Sequence, residues 1–186
     1  MLILGYFGKG LFRNKSSEYW PSSVVANDLL HEISPDSSCW LALEGERVVG
    51  FCWGYPISSN NLEKKLLLPG LAAKILKHYG EDATVAYQDD MGVLKPYRGQ
   101  GIARKLFLLR LHGFLQKNLA IGLVRTKADP PTVTYKWFLS MGYEVLDRYA
   151  SPDNRVILSC RYDDLCASNP SLLSGVTDLI SEVLSG

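Results

Sequence analysis

Two glycines, a proline and four cations stand together at residues 93–106, Val-Leu-Lys-Pro-Tyr-Arg-Gly-Gln-Gly-Ile-Ala-Arg-Lys-Leu. Pro96 turns the chain after an apolar run. Gly99 and Gly101 remove side chains, so backbone N–H groups can close around an anion. A helical pattern starts directly after them, and its unbonded first-turn N–H groups and positive dipole end point at the same spot. Arg98, Arg104 and Lys105 flank that spot. The chemistry this suits is holding a pyrophosphate. A GxxxxGK[ST] phosphate loop is excluded by spacing. A GxGxxG dinucleotide fingerprint is excluded because Arg104 replaces the third glycine and no acid follows about 20 residues later. The arginine-led pattern R-x-x-G-x-G/A is met by Arg98, Gly101 and Ala103. The plainer alternative is a glycine-rich turn that opens a structural helix.

A second chemical feature lies just upstream. Asp89 and Asp90 interrupt the otherwise apolar stretch 83–94, and aspartate is a poor strand residue. Local rules tend to break at functional sites. Adjacent strand residues point to opposite faces unless a bulge shifts the alternation, so which aspartate faces a cleft stays open. One solvent-facing and one hydrogen-bonded aspartate is the bland alternative. Gly92, inside the same strand, suggests a bulge or a close approach.

The elements that must position these residues read as follows. Residues 21–33 are helical in pattern, followed by a turn at 34–38. CWLAL (39–43) and RVVGFCWGYPI (47–57) form a hairpin. Residues 60–79 are helical, broken at Pro69-Gly70. Residues 83–94 form a strand, KPYRGQG a turn, and 101–117 a helix apolar on most of its circumference, hence mostly buried. Residues 120–126 form a strand, and Pro130-Pro131-Thr132 opens a short helix that ends near Met141 with Gly142 as its stop. The segments 143–149 and 155–160 are the last strands, joined by a turn at 151–154. Leu172–Leu184 is amphipathic and either docks or dangles. This order gives an α+β domain, a mixed sheet sandwiched by helices.

Composition agrees with one globular domain. The chain has 186 residues, 47% of them hydrophobic and 21% charged, which excludes disordered, collagen-like and coiled-coil classes. Its apolar runs are too short for a membrane span, and no secretory signal is apparent. Cys39, Cys52, Cys160 and Cys166 lie far apart with no CxxC pair, so neither structural zinc nor a disulfide framework is expected, and no metal. Four reduced thiols place the protein in the cytoplasm. Net charge is +1, yet residues 91–128 hold eight Lys/Arg and no Asp/Glu. That segment suits a small polyanion. It lacks interleaved aromatics and its helix is too apolar for a groove, so nucleic acid is not expected as a partner.

VLKPYRGQGIARKL resembles the coenzyme A pyrophosphate motif of the GNAT acetyltransferase superfamily. ERVVGFCWGYP is similar to the strand pair before it, and TYKWFLSMGYEVL to the family's second motif. The resemblance spans residues 39–161. Residues 1–38 match weakly within a domain of 1–162, and 163–186 form a C-terminal tail or docking helix. The resemblance implies a GNAT-like central sheet, mostly antiparallel, with a splayed strand pair and flanking helices. Acetyl-coenzyme A would lie in the resulting cleft.

The resemblance also implies roles. Met91, Gly92 and Val93 match the family's bulge, where a backbone N–H holds the thioester carbonyl. Val93, Leu94 and Lys95 would pair with the pantetheine amides. Arg98, Gly99, Gln100, Gly101, Ile102, Ala103 and Arg104 would hold the pyrophosphate. Asp89 or Asp90 would take the proton of the attacking amine. The family tyrosine that protonates the leaving thiolate is Phe138 here, a departure that puts that step in doubt; Tyr135, one helical turn earlier, is the candidate substitute. Trp20, Trp53, Tyr55 and Tyr87 could shape an acceptor pocket, and Glu63, Glu81 and Asp82 could favour a cationic acceptor. The expected function is N-acetyl transfer from acetyl-coenzyme A to a primary amine of a small molecule or protein. The alternative is a non-catalytic acyl-coenzyme A sensor of the same fold. A homodimer is left open.

Overall fold

The computed structural model describes residues 31–80, 83–149 and 154–185. The expected helix at 21–33, except its end, the residues Trp20, Glu81 and Asp82, and most of the 151–154 turn lie outside them. Chemistry of the sheet comes first from its hairpin. β1 (Ser38–Glu44) and β2 (Arg47–Ser58) pair antiparallel around Gly45, which has φ +58°. β2 then pairs antiparallel with β3 (Thr84–Val93). β3 pairs with β4 (Ile121–Lys127) in parallel, the only parallel pair of the sheet among the described residues. β6 (Arg155–Arg161) pairs antiparallel with β4 and with β5 (Glu144–Arg148). The order across the sheet is β1-β2-β3-β4-β6-β5.

Helices cover both faces. α1 (Ser59–Leu66) and α2 (Leu71–Tyr79) are separated where expected, at Leu68-Pro69-Gly70. They cover one face with Leu62, Leu66, Leu71 and Ile75, packed on Phe51, Trp53, Tyr55, Tyr87, Leu123 and Ile157. The other face takes α3 (Ile102–Leu115), α4 (Val133–Ser140), α5 (Tyr162–Ser168) and α6 (Pro170–Ser185). There Phe107, Leu111 and Phe114 of α3 pack with Ala86, Val124, Leu158 and Phe138. Every residue of α3 from Leu106 to Leu111 is buried, as its apolar circumference predicts.

One element differs from the sequence reading. α5 was not expected; its seven residues follow β6 directly and bury Tyr162 and Leu165. The 83–94 segment is the strand expected, continuous from Thr84 to Val93 through its polar residues. Its bulge sits elsewhere than expected. In the β2–β3 register Trp53 faces Asp90 while Tyr55 faces Tyr87. β3 therefore spends one residue more than β2 between those pairs, at Gln88–Asp89, and not at Met91–Val93. Gly54 is the β2 residue opposite the bulge. A Cβ there would stand 2.5 Å from the Tyr87 carbonyl oxygen and 2.8 Å from the Phe114 ring, so the tight bulge requires glycine. Gly92 also marks a close approach, but of a side chain: a Cβ would lie 2.7 Å from the Phe51 ring.

Candidate active site

The parallel pair of β3 and β4 is short. Its register covers Ala86–Gly122, Tyr87–Leu123 and Gln88–Val124, and stops. β3 runs on to Val93 and β4 to Lys127, so the two strands part beyond the bulge and open a wedge in the sheet. The bulge supplies the cause, because an extra residue bends its strand and increases its twist.

At the far end of β3 the chain turns through Lys95–Tyr97, a single 3-10 turn. The Tyr97 N–H donates to Leu94 O at 2.8 Å, and the Leu94 N–H donates to Val49 O at 2.9 Å. Both backbone groups of Leu94 are thus committed, and its part in the site is the turn itself. Leu94's amide points at β2, so the alternate amides, Val93 and Met91, point to the wedge side. Arg98 Nε donates to Val93 O at 3.0 Å, and Gln100 Nε2 donates to Pro96 O at 3.3 Å. These bonds close the loop on itself. Gly99 and Gly101 both adopt left-handed φ, +80° and +78°, where a side chain is strained. A Cβ on either would meet nothing within 4 Å. The loop is therefore open on the side of both glycines. Gly101 caps α3 without a side-chain bond to its amides. The first-turn amides of Ile102, Ala103 and Arg104 open α3 directly after the loop, where such amides lack helical partners, and Arg98 and Arg104 are exposed.

The opposite end of the wedge carries acid groups. Asp89 Oδ2 accepts from Tyr55 Oη at 3.0 Å and lies 3.4 Å from Lys65 Nζ. Lys65 also pairs with Glu32 Oε1, and Trp53 Nε1 donates to Glu32 Oε2 at 3.3 Å. Lys65 stands 5.6 Å from the Tyr55 ring centre. Asp90 is aligned with Trp53, whose ring belongs to this same face. The bulge therefore gives both aspartates neighbours on one face, where simple alternation separates them. Asp90 Oδ1 accepts from the Met91 N–H at 2.8 Å. The wedge amide expected to meet a thioester oxygen is bonded instead to its neighbour's carboxylate.

Two of these carboxyls, Asp90 and Glu32, hold their protons unusually well. Burial pushes the Asp90 carboxyl up to about 6, and Asp89's charge adds to it; the Met91 N–H and Arg110 oppose it. Burial, with Asp89 next, pushes Glu32 up to about 7. Burial works to lower the Lys65 ammonium, but Glu32 and Asp89 outweigh it and raise it. Lys65 thus joins two carboxyls, Asp89 and Glu32, beside the Tyr55 and Trp53 rings, and Asp90 is the next residue along β3. Glu32, Lys65 and the bulge residue Gln88 were missed by the sequence reading. Gln88 carries a faint signal as a third polar residue in an apolar strand. Glu32 and Lys65 carry none, because they come from separate helical segments.

Tyr135 is not brought to the acids. It sits half-buried on α4 against the apolar cluster of the opposite face, its N–H donating to Thr132 Oγ1 at 3.1 Å. Phe138 is fully buried against Phe107, Trp137 and Tyr143. Among the described residues no group of three or more His, Cys, Asp or Glu suits a metal ion, and no helix is long and apolar enough to cross a membrane.

An open mixed sheet split between two parallel strands, with a glycine-rich turn leading into a helix at the end of the first, is the class of fold this chain adopts. The chain belongs to the GNAT acetyltransferase family, whose model matches residues 9–128. No sequence among the curated proteins matches it. Its fold is similar to that of Ard1 from Thermoplasma volcanium, at 17% identity over 78% of this chain and 82% of that one, with a TM-score of 0.55. The ribosomal-protein-S18-alanine N-acetyltransferase from Escherichia coli superposes at 12% identity over 78% and 79%, with a TM-score of 0.52. The PaiA N-acetyltransferase from Thermoplasma acidophilum, solved in complex with coenzyme A, does so at 13% identity over 76% and 71%, with a TM-score of 0.51.

Proposed function

We propose that this protein transfers an acetyl group from acetyl-coenzyme A to a primary amine of a small molecule or protein. The observation that carries the proposal is the wedge: it joins a glycine-rich loop at one end to a half-buried carboxyl cluster at the other. The pyrophosphate of coenzyme A would rest on the Arg98–Arg104 loop and the α3 amides. The pantetheine arm would run along β3 past Val93. The thioester oxygen would take the Met91 N–H, displacing Asp90 Oδ1. Asp90, freed beside the reacting carbon, is the preferred base, because its proton affinity near 6 suits proton removal at neutral pH. Asp89, held by Tyr55 and Lys65, orients the site. An acid-rich, aromatic-walled end suits an acceptor that arrives as an ammonium. Phe138 has no proton to give, so Tyr135 of α4 or solvent protonates the leaving thiolate.

Isothermal titration with acetyl-coenzyme A, followed by thiol release against an amine panel, tests this. The panel holds an α-amino ester, a polyamine, an aminoglycoside and a peptide with a free N-terminus. Binding with amine-dependent release is expected. Absence of binding overturns the site. Binding without release from any amine favours the second reading, an acyl-coenzyme A sensor, for which the buried Phe138 is the supporting observation.

A further inference from the structure

One cation of the 91–128 segment is no surface charge. Arg110 lies on α3 inside the run Phe107–Leu111 and is 2% exposed. Its guanidinium reaches the β2–β3 ladder where the bulge interrupts it. Nη1 donates to two main-chain carbonyls, Trp53 at 3.1 Å and Asp90 at 3.2 Å. Nη2 donates to Gln88 Oε1 at 2.8 Å. Gln88, itself buried, donates through Nε2 to Tyr143 Oη, at the head of β5 beyond the wedge. The chain of bonds therefore runs from β2 through the bulge to the far half of the sheet.

A bulge leaves main-chain acceptors without ladder partners. A buried guanidinium is a costly way to satisfy them, and a leucine would fill the space at less cost. What leucine cannot do is bond one carbonyl on each strand and place a positive charge beside Asp90. We infer that Arg110 is a positioning residue for acetyl transfer: it locks the β3 bulge so that the Asp90 carboxylate and the Met91 and Val93 amides line the wedge. This rests on the acetyl-transfer reading. The charges around Asp90 agree with it. Asp89 on the same strand disfavours its ionisation, while Arg110 from α3 and the Met91 N–H favour it. Behind Asp89 stand Lys65 of α1, with Glu32, Tyr55 and Tyr87.

Three variants test the inference, each assayed for coenzyme A affinity by titration and for thiol release with the best amine of the panel across pH. Arg110→Met removes donors and charge. Its coenzyme A Kd should stay within about threefold of native, while kcat falls about 100-fold, the size of loss a ~1 Å misplacement brings. The acidic limb of its kcat/KM profile should move to higher pH, because Asp90 keeps its proton longer. Arg110→Lys keeps the charge but cannot span both carbonyls and Gln88. It should lose kcat with the acidic limb in its native place. Tyr143→Phe removes one hydroxyl at the far end of the chain of bonds and should lower kcat less, with native coenzyme A affinity. Should Arg110→Met fail to fold, the other two carry the test. Native kcat in Arg110→Lys and Tyr143→Phe overturns the inference. So does a loss of rate matched by an equal loss of coenzyme A affinity with an unmoved pH profile. A wild-type protein that binds coenzyme A but releases no thiol overturns the acetyl-transfer reading and this role with it. A wild type that turns over beside an Arg110→Met variant of native rate and profile overturns this role alone.

Discussion

On the acetyl-transfer reading, Asp90 links reactivity to a cost in stability. Its carboxyl is raised from 3.8 to about 6, chiefly by burial. A group held more firmly protonated in the fold than in the unfolded chain stabilises the protein fully below its unfolded value. That contribution is lost as pH rises through about 6. At pH 8 the buried carboxylate therefore destabilises, by at most about 3 kcal/mol for a shift of this size. Asp90→Asn should raise the melting temperature at pH 8 by several degrees, and the gap should close as the pH falls below about 4. The same variant should lower the kcat/KM for thiol release by about 100-fold or more and abolish the acidic limb near pH 6. A native rate in Asp90→Asn assigns the proton transfer to another group. The two aspartates were legible in the sequence because they break an apolar strand. Their division of labour was not, since it depends on a bulge two residues from where the motif pointed. Arg110 left a trace, a charge inside Phe-Leu-Leu-Arg-Leu. Counted among the eight cations of residues 91–128, it showed no role of its own, because helical position alone does not reveal a buried partner.

At the scale of elements, loop and strand are set by a few backbone positions. Gly101 is left-handed at φ +78° and opens into space where a phosphate would sit. A Cβ at position 101 meets no protein atom within 4 Å, so the effects expected of Gly101→Val are backbone strain of about 1–3 kcal/mol and obstruction of the proposed anion seat. Coenzyme A affinity should drop by at least about 30-fold while circular dichroism stays native, a combination of strain and lost charge-assisted bonds. Retained affinity would remove the loop from the binding site. This loop was readable because proline, glycine and helix-start signals are local. The hairpin and the broken α1–α2 pair were readable for the same reason. α5 was not: Tyr162–Ser168 follows β6 with no intervening turn residue, and its first residues, Tyr-Asp-Asp, favour neither strand nor helix strongly.

Across the whole molecule, the C-terminal helix is part of the core. Leu172, Val176 and Leu179 of α6 are buried with Leu108 of α3. Each buried large apolar side chain contributes about 1.5–3 kcal/mol, so three of them rival the net stability of an ordinary domain, about 5–15 kcal/mol. Leu172→Ala should therefore cost about 2–5 kcal/mol in chemical denaturation. A change under about 0.5 kcal/mol would mean that α6 rests on the domain without supporting it. Amphipathic spacing made this helix visible in sequence. Whether it docked was not visible, because the face receiving it is assembled from α3 and α5, far apart along the chain.

The wedge has a further consequence for solubility. Beyond the Gln88–Val124 pair, β3 and β4 each present a side that no neighbouring strand covers. At the rim of a sheet such a row of backbone groups is an invitation to stray polypeptide, and the ordinary remedies are short strands, charges or prolines. Here the row lies inside the sheet, walled by the opposite strand and closed at its base by the three-pair seam. The molecule can thus keep polar main-chain groups on offer to an extended ligand while denying them to another copy of itself.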